Sequence, residues 1–124
     1  MKIYAMIPIV IVLAITADKC KNKNESNIHK GRLEIKGMCM NYTIKLLEGN
    51  LDSSKIVTGW KNEATGNTHN NVFALGSACS FPSTINEGDD FYFTVDSSYV
   101  SNCAVCLAYY PKPKKSIAIK VVNK

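Results

Sequence analysis

The sequence predicts an all-β domain, built as a single small antiparallel sandwich or Greek-key barrel. Apolar residues alternate with polar ones in several short runs, turn-forming residues separate the runs, and no stretch sustains a helical period. An immunoglobulin-like sandwich and an OB-like barrel fit this pattern almost equally well. The length of 124 residues leaves room for one such domain, predicted over residues 31–124.

The first strand region begins with Leu33 and Ile35, which alternate with charged residues, and continues with the alternating residues 40–46. This period of two is typical of a strand with one buried face. Gly37 interrupts the pattern and is predicted to be a bulge or bend within one long strand. The polar residues 48–50 end this region.

The middle of the chain offers two shorter strands, residues 55–60 and 71–75, on either side of the turn-rich residues 64–70. The best helical candidate is a single turn over residues 51–55, with Asn50 as its cap.

The last third predicts three more strands. The first follows the turn at residues 87–89, and its buried face consists of Phe91, Phe93 and Val95. Residues 104–110 and 116–122 form the other two, joined by the proline- and lysine-rich residues 111–115. The buried stripe of the final strand consists of Ile117, Ile119 and Val121.

Residues 1–17 have the layout of a secretory signal peptide. Lys2 precedes an apolar stretch over residues 7–17 that ends in small or tolerated residues and is too short to span a bilayer. The protein is therefore predicted to be exported, to the periplasm or the extracellular space. Residues 18–30 carry four lysines and are predicted to form a flexible basic spacer in which His29 is solvated.

Cys20 raises the alternative of a lipid anchor. A bacterial lipoprotein needs a small residue directly before its lipid-bearing cysteine, and Lys19 occupies that position. Cleavage after Ala17 is the expectation, and lipidation of Cys20 is the alternative. Peripheral membrane association through Cys20 or through the basic spacer follows as a candidate interaction.

The remaining cysteines are candidates for structural disulfides: Cys39, Cys79, Cys103 and Cys106. Exported chains meet an oxidising compartment, and four cysteines allow three pairings that the sequence leaves open. A zinc site and a redox pair at Cys103 and Cys106 are the alternatives. In the structural interpretation both of these cysteines are expected to be poorly exposed, because they lead into the predicted strand 104–110.

No catalytic, cofactor-binding or metal-ligating residue is predicted. His69 lies among asparagines and threonine without a neighbouring carboxylate or nucleophile, and Asp89 and Asp90 fit a solvated turn. The expected function is a non-enzymatic binding or structural module of the cell envelope, with an unknown envelope ligand or protein as partner. A thiol-disulfide or metal-binding protein using Cys103 and Cys106 is the alternative.

Four aromatic residues form the candidate binding surface: Trp60, Tyr92, Tyr109 and Tyr110. Without Lys2, 14 basic residues stand against 10 acidic ones, a net charge of +4. A basic face with exposed aromatics is one form of nucleic-acid surface, but the export signal argues against nucleic acid as a partner.

Four segments resemble an uncharacterised family of small exported proteins, often lipoproteins, of Bacteroidota-type bacteria. They are GMCMNYT at 37–43, NVFALG at 71–76, CSFP at 79–82 and NCAVCLAYYP at 102–111. The resemblance implies a bacterial envelope location and a recurrent set of four cysteines, and it implies no activity. The sequence departs from the lipoprotein members at Asp18 and Lys19.

Overall fold

A computed structural model describes residues 27–104 and 106–124, and it confirms the all-β fold. The strands are β1 His29–Lys36, β2 Tyr42–Glu48, β3 Trp60–Lys61, β4 Thr68–His69, β5 Val72–Leu75, β6 Asp90–Val95, β7 Ser116–Ile117 and β8 Ile119–Val122. Short 3₁₀ turns lie at Met38–Met40, Ser53–Lys55 and Ala78–Ser80. The predicted signal peptide, Cys20 and most of the predicted spacer lie outside the described residues.

Six strands form one curled sheet in the order β7-β5-β2-β1-β6-β8. The two outer strands are separated by Ala118 alone, so both edges of the sheet meet in one segment of chain. Strand β7 runs parallel to β5, and β8 runs antiparallel to β6. If β7 and β8 are counted as one strand, the sheet is a five-stranded Greek-key barrel, which is the OB-like arrangement of the two that the sequence left open. Strands β3 and β4 pair separately, outside this sheet.

Ser77 holds the barrel closed at the point where the last segment passes from one edge to the other. Its hydroxyl accepts a hydrogen bond from the Ile119 amide and lies within hydrogen-bond distance of the Ile119 carbonyl, both at 2.8 Å. On either side, the Gly76 amide donates to Ile117 and the Asp96 amide donates to Ala118. Because Ser77 is fully buried, these bonds satisfy backbone groups that water does not reach.

The core lies inside the barrel and consists of Leu33, Ile44, Phe73, Leu75, Phe81, Phe91, Phe93, Ile117 and Ile119. Phenylalanine rings form its centre, since the Phe93 ring lies 5.9 Å from both Phe73 and Phe91. The predicted burial of alternating residues on the first, sixth and last strands is confirmed. Val95 and Val121, two members of these predicted faces, are only partly buried and pack against the cluster.

The predicted bulge at Gly37 is wrong. Strand β1 ends at Lys36, directly opposite Tyr42 at the start of β2, so the chain reverses between them. Cys39 and Met40 both adopt positive φ angles, 57° and 59°, which produce this reversal. Met40 is consequently exposed and does not continue a buried face.

The predicted strand over residues 104–110 is also wrong. No strand is present among the described residues between β6 and β7, and the side chain of Leu107 is 97% exposed. The apolar residues in this segment suggested a buried strand, but the disulfides hold it on the surface, where no strand pairs with it.

The predicted strand 55–60 is reduced to a single bridge between Val57 and Val72, followed by β3. The predicted helical turn is confirmed as Ser53–Lys55, although its cap is Asp52 and not Asn50. The Ser54 amide donates to the Asp52 carboxylate at 2.9 Å, and this bond is the main cause that lowers the Asp52 pKa.

His29 is not solvated, as the sequence had suggested, but is buried as the first residue of β1. The strand therefore starts two residues before the predicted boundary at residue 31. The His29 ring lies 5.4 Å from the Phe93 ring, and burial lowers the His29 pKa. The imidazole packs next to Phe93 of the core. The polar residues around His29 in the sequence gave no sign of this burial.

Candidate functional site

Trp60 and Tyr109, two members of the predicted aromatic surface, line the same groove, whose volume is about 520 Å³. Residues 57–63 form one wall and residues 109–115 form the other. Both walls are attached along one edge of β5. Val57 exchanges backbone hydrogen bonds with Val72, and the Ala74 amide donates to the Lys115 carbonyl at 2.8 Å. Because these two attachment points are two residues apart on β5, the two segments lie side by side and line one groove.

Trp60 is held in place by its partner on the neighbouring strand. It pairs with His69 across β3 and β4, and the two rings lie 5.6 Å apart. The His69 Nδ1 atom is 3.1 Å from the Glu34 carboxylate on β1, with both side chains largely buried. This chain of contacts fixes the indole against the barrel while it still lines the groove.

Tyr109 belongs to residues 99–111, called the strap below, whose described residues do not pair with any strand. Disulfides Cys79–Cys103 and Cys39–Cys106 hold the strap to the barrel. The Asn41 side-chain amide also donates to the Ala108 carbonyl at 3.0 Å, next to Tyr109 in the chain. Tyr109 itself is 78% exposed, so its ring is presented to solvent from a tethered backbone.

The groove is strongly basic. Its lining includes the exposed lysines Lys61, Lys112, Lys114 and Lys115, and a single carboxylate, Glu63. None of these five side chains forms an ion pair with another described residue. Like charges on the walls of one concavity add to each other and create a positive potential that attracts anions. Two aromatic rings and four ammonium groups therefore provide stacking surfaces and hydrogen-bond donors for an anionic ligand.

The other two aromatic residues of the predicted surface lie elsewhere. Tyr92 is on β6, opposite Lys30 and Val122, and the Lys124 ammonium lies 5.1 Å from its ring. Tyr110 is half-buried and contacts the backbone at Gly37. The structure thus joins Trp60 with Tyr109 and separates Tyr92 and Tyr110 from them.

Sequence reasoning missed Lys61 and Glu63 as groove residues. Both are close to Trp60 in the chain, and this proximity was the available signal. Lys61 and Glu63 share the groove with Lys112, Lys114 and Lys115 because both segments are bonded to β5. No local sequence pattern reveals these bonds.

The disulfides select the cross-sheet pairing among the three that the sequence allowed. Cys39 pairs with Cys106, and Cys79 pairs with Cys103. The expectation that Cys103 and Cys106 are poorly exposed is wrong, because the segment around them is surface strap and not strand.

The cysteine pairing differs from the one that a redox disulfide between Cys103 and Cys106 would use. Cys103 and Cys106 are bonded to different partners, so they do not form a redox disulfide with each other, and none of the four sulfurs is a free thiolate. Across residues 27–104 and 106–124, no group of three or more potential metal-ligating side chains is assembled. The two disulfides indicate an oxidising, non-cytoplasmic compartment.

The residues considered for catalysis have structural partners. His69 does have a neighbouring carboxylate, Glu34, which lies 35 positions earlier and was invisible as a local pattern. Asp90 forms an exposed ion pair with Arg32 at 2.8 Å, and Asp89 accepts a hydrogen bond from the Asn86 amide in the preceding turn. These contacts fit a role of all three residues in positioning strands and turns.

No family model, curated protein or solved structure matches the chain. In the part of the chain that the structure describes, no helix has the length and apolar character needed to cross a membrane.

Proposed function

We propose that the protein is an exported, non-enzymatic binding module of the bacterial cell envelope that holds an anionic ligand in the groove between Trp60 and Tyr109. The observation that carries this proposal is the placement of two aromatic rings and four lysines, none ion-paired with a described residue, around one concavity of about 520 Å³. This volume lies within the range of about 300–1,000 Å³ that is typical of small-ligand sites.

Export is supported by two independent features. Residues 1–17 have the layout of a signal peptide, and the two disulfides belong to an oxidising compartment. The envelope location follows from the family resemblance of the cysteine-containing segments.

The chain carries its own reporter for this site, because Trp60 is its one tryptophan. Intrinsic fluorescence of the purified, disulfide-intact protein therefore responds to events in the groove. We expect saturable changes on titration with sulfated dextran, and none with uncharged dextran of the same length. Raising the salt concentration should weaken binding, because ammonium–sulfate attraction is screened.

Matched lysine variants test the location. Lys112→Gln combined with Lys114→Gln should weaken binding of sulfated dextran at least tenfold, equivalent to about 1.4 kcal/mol. Lys45→Gln combined with Lys120→Gln removes the same charge from strands outside the groove and should have a much smaller effect. Equal losses in the two double variants, or equal responses to charged and uncharged dextran, would show that the groove is not the site.

A further inference from the structure

We infer that the ligand of the groove is an acidic oligosaccharide, a short chain of sugars that carry carboxylates. This inference rests on the proposed function and specifies the class of anion. The lone carboxylate, in a groove lined by aromatic rings and ammonium groups, favours this class over phosphate-rich ligands.

The aromatic walls fit the shape of a sugar. A pyranose ring has an apolar face of C–H groups and an edge of hydroxyls, and the apolar face stacks on indole and phenol rings. Trp60 supplies such a ring from β3, and Tyr109 supplies another from the strap on the opposite wall. OB-like barrels are an architecture that binds oligosaccharides and oligonucleotides through loops at one end of the barrel. The aromatic pair alone is compatible with either ligand.

Glu63 favours the sugar. Its carboxylate shares the groove with four lysines yet forms no ion pair within the described residues. A carboxylate accepts hydrogen bonds and donates none, so it suits ligand hydroxyl groups. The negative charge of Glu63 repels phosphate groups and so opposes a phosphate-rich ligand. A ligand that offers hydroxyl donors next to anionic groups satisfies Glu63 and the lysines together, and an acidic sugar has both.

The cations in the groove are all lysines. The single arginine of the chain, Arg32, lies on β1 and is bound to Asp90. Guanidinium groups bind phosphates and carboxylates in a fixed bidentate geometry, whereas ammonium groups act as compact charges on flexible stems. The four ammonium groups therefore supply positive charge and hydrogen-bond donors for a sugar that carries carboxylates, without imposing a fixed geometry on it.

The test compares each acidic sugar with its own methyl ester, which keeps the sugar and removes the charge. Trp60 fluorescence of the disulfide-intact protein is titrated with three oligosaccharides: trigalacturonate, trimannuronate and a hyaluronan tetrasaccharide. Inorganic triphosphate and an oligothymidylate are titrated in parallel. We expect at least one of the three sugars to bind tenfold more tightly than its ester and than triphosphate.

Two variants check the mechanism. Glu63→Gln should weaken binding of the acidic sugar about fivefold and strengthen binding of triphosphate, because it exchanges a charged hydroxyl acceptor for a weaker neutral one and removes a repulsive charge. Tyr109→Ala should weaken sugar binding up to tenfold and change triphosphate binding little. Tyr92→Ala, which alters an aromatic residue outside the groove, should leave both unchanged. Circular dichroism of each variant establishes that the barrel is folded.

The outcomes separate this inference from the proposed function. If none of the three sugars binds more tightly than its ester, or if triphosphate or oligothymidylate binds best, the sugar inference is overturned. In that case the proposed anion-binding function still stands, provided that the Lys112 and Lys114 double variant weakens binding of the anion that does bind. If no anion changes Trp60 fluorescence and no anion is retained by the protein in equilibrium dialysis, both proposals fail.

Discussion

Cys106 is bonded to Cys39, which lies 67 positions earlier in the chain, and not to Cys103, three positions away. The bond ties the strap to the turn between β1 and β2, where Asn41 also holds the Ala108 carbonyl. Among the residues that the structure describes, no member of the core cluster lies between residues 96 and 116. The disulfides therefore fasten the wall of the groove onto a barrel whose apolar core is complete without the strap.

Removal of either disulfide should lower stability by about 2–4 kcal/mol, because each restricts the unfolded chain. The two should differ in their effect on the groove. Cys39→Ser with Cys106→Ser frees the backbone next to Tyr109, whereas Cys79→Ser with Cys103→Ser leaves that anchor in place. Urea unfolding measures the first effect, and titration with sulfated dextran measures the second. Equal losses of affinity would contradict a local role of the Cys39–Cys106 bond.

Ile119→Ala should destabilise the barrel by about 2–5 kcal/mol, because the side chain is 2% exposed within the core cluster and its removal leaves a cavity. Lys120→Ala, at the next and exposed position of β8, is the matched control and should change stability by less than about 0.5 kcal/mol. Chemical denaturation of both variants gives the comparison. Similar values for the two would mean that the facing of β8 is assigned incorrectly.

Ser77→Ala should destabilise the protein by about 1–3 kcal/mol, since it leaves the buried Ile119 amide and carbonyl without the Ser77 hydroxyl. Ser97→Ala, at an exposed loop position, removes the same atom without this loss. Hydrogen exchange at the Ile119 amide provides a local readout, because faster exchange should accompany the global change. An unchanged exchange rate at Ile119 would show that Ser77 does not close the barrel.

Acid should destabilise the protein through His29. Burial lowers the folded-state pKa of His29, while in the unfolded chain a histidine titrates near pH 6.5. Between these two values the unfolded chain binds more protons, so the free energy of unfolding falls as the pH drops below about 6.5, until the folded-state pKa is passed.

Urea unfolding at pH 7.5 and pH 5.0 measures this loss. In the His29→Gln variant the loss should be smaller, because glutamine binds no proton in this pH range. An identical pH dependence in the two proteins would place the acid sensitivity elsewhere.

Processing in the native host should produce a chain that starts at Asp18 and carries no acyl group, because Lys19 directly precedes Cys20. Intact mass spectrometry of protein isolated from the envelope checks both points. A lipid adduct on an N-terminal Cys20 would instead establish a membrane anchor.

The sequence was sufficient to predict the all-β class, the buried phases around Phe93 and Ile119, and the structural use of four cysteines. The strand features depend on local alternation in the sequence, and the use of the cysteines depends on the redox conditions of the compartment. Residues two positions apart on a strand lie on the same face. Phe91 and Phe93 are therefore buried together once this segment forms a strand. Likewise, the cysteines of an exported chain meet an oxidising environment whatever the fold.

The tertiary structure alone decided the closure of the barrel, the disulfide pairing and the composition of the groove. Leu107 and Tyr109 show the reason, because an apolar run predicts burial only when a partner strand is present, and here two disulfides hold the run on the surface. Trp60 and Tyr109 line the same groove because Val57 and Lys115 attach two residues apart on β5. Contacts between residues so distant in sequence depend on strand order, and local alternation carries no information about strand order.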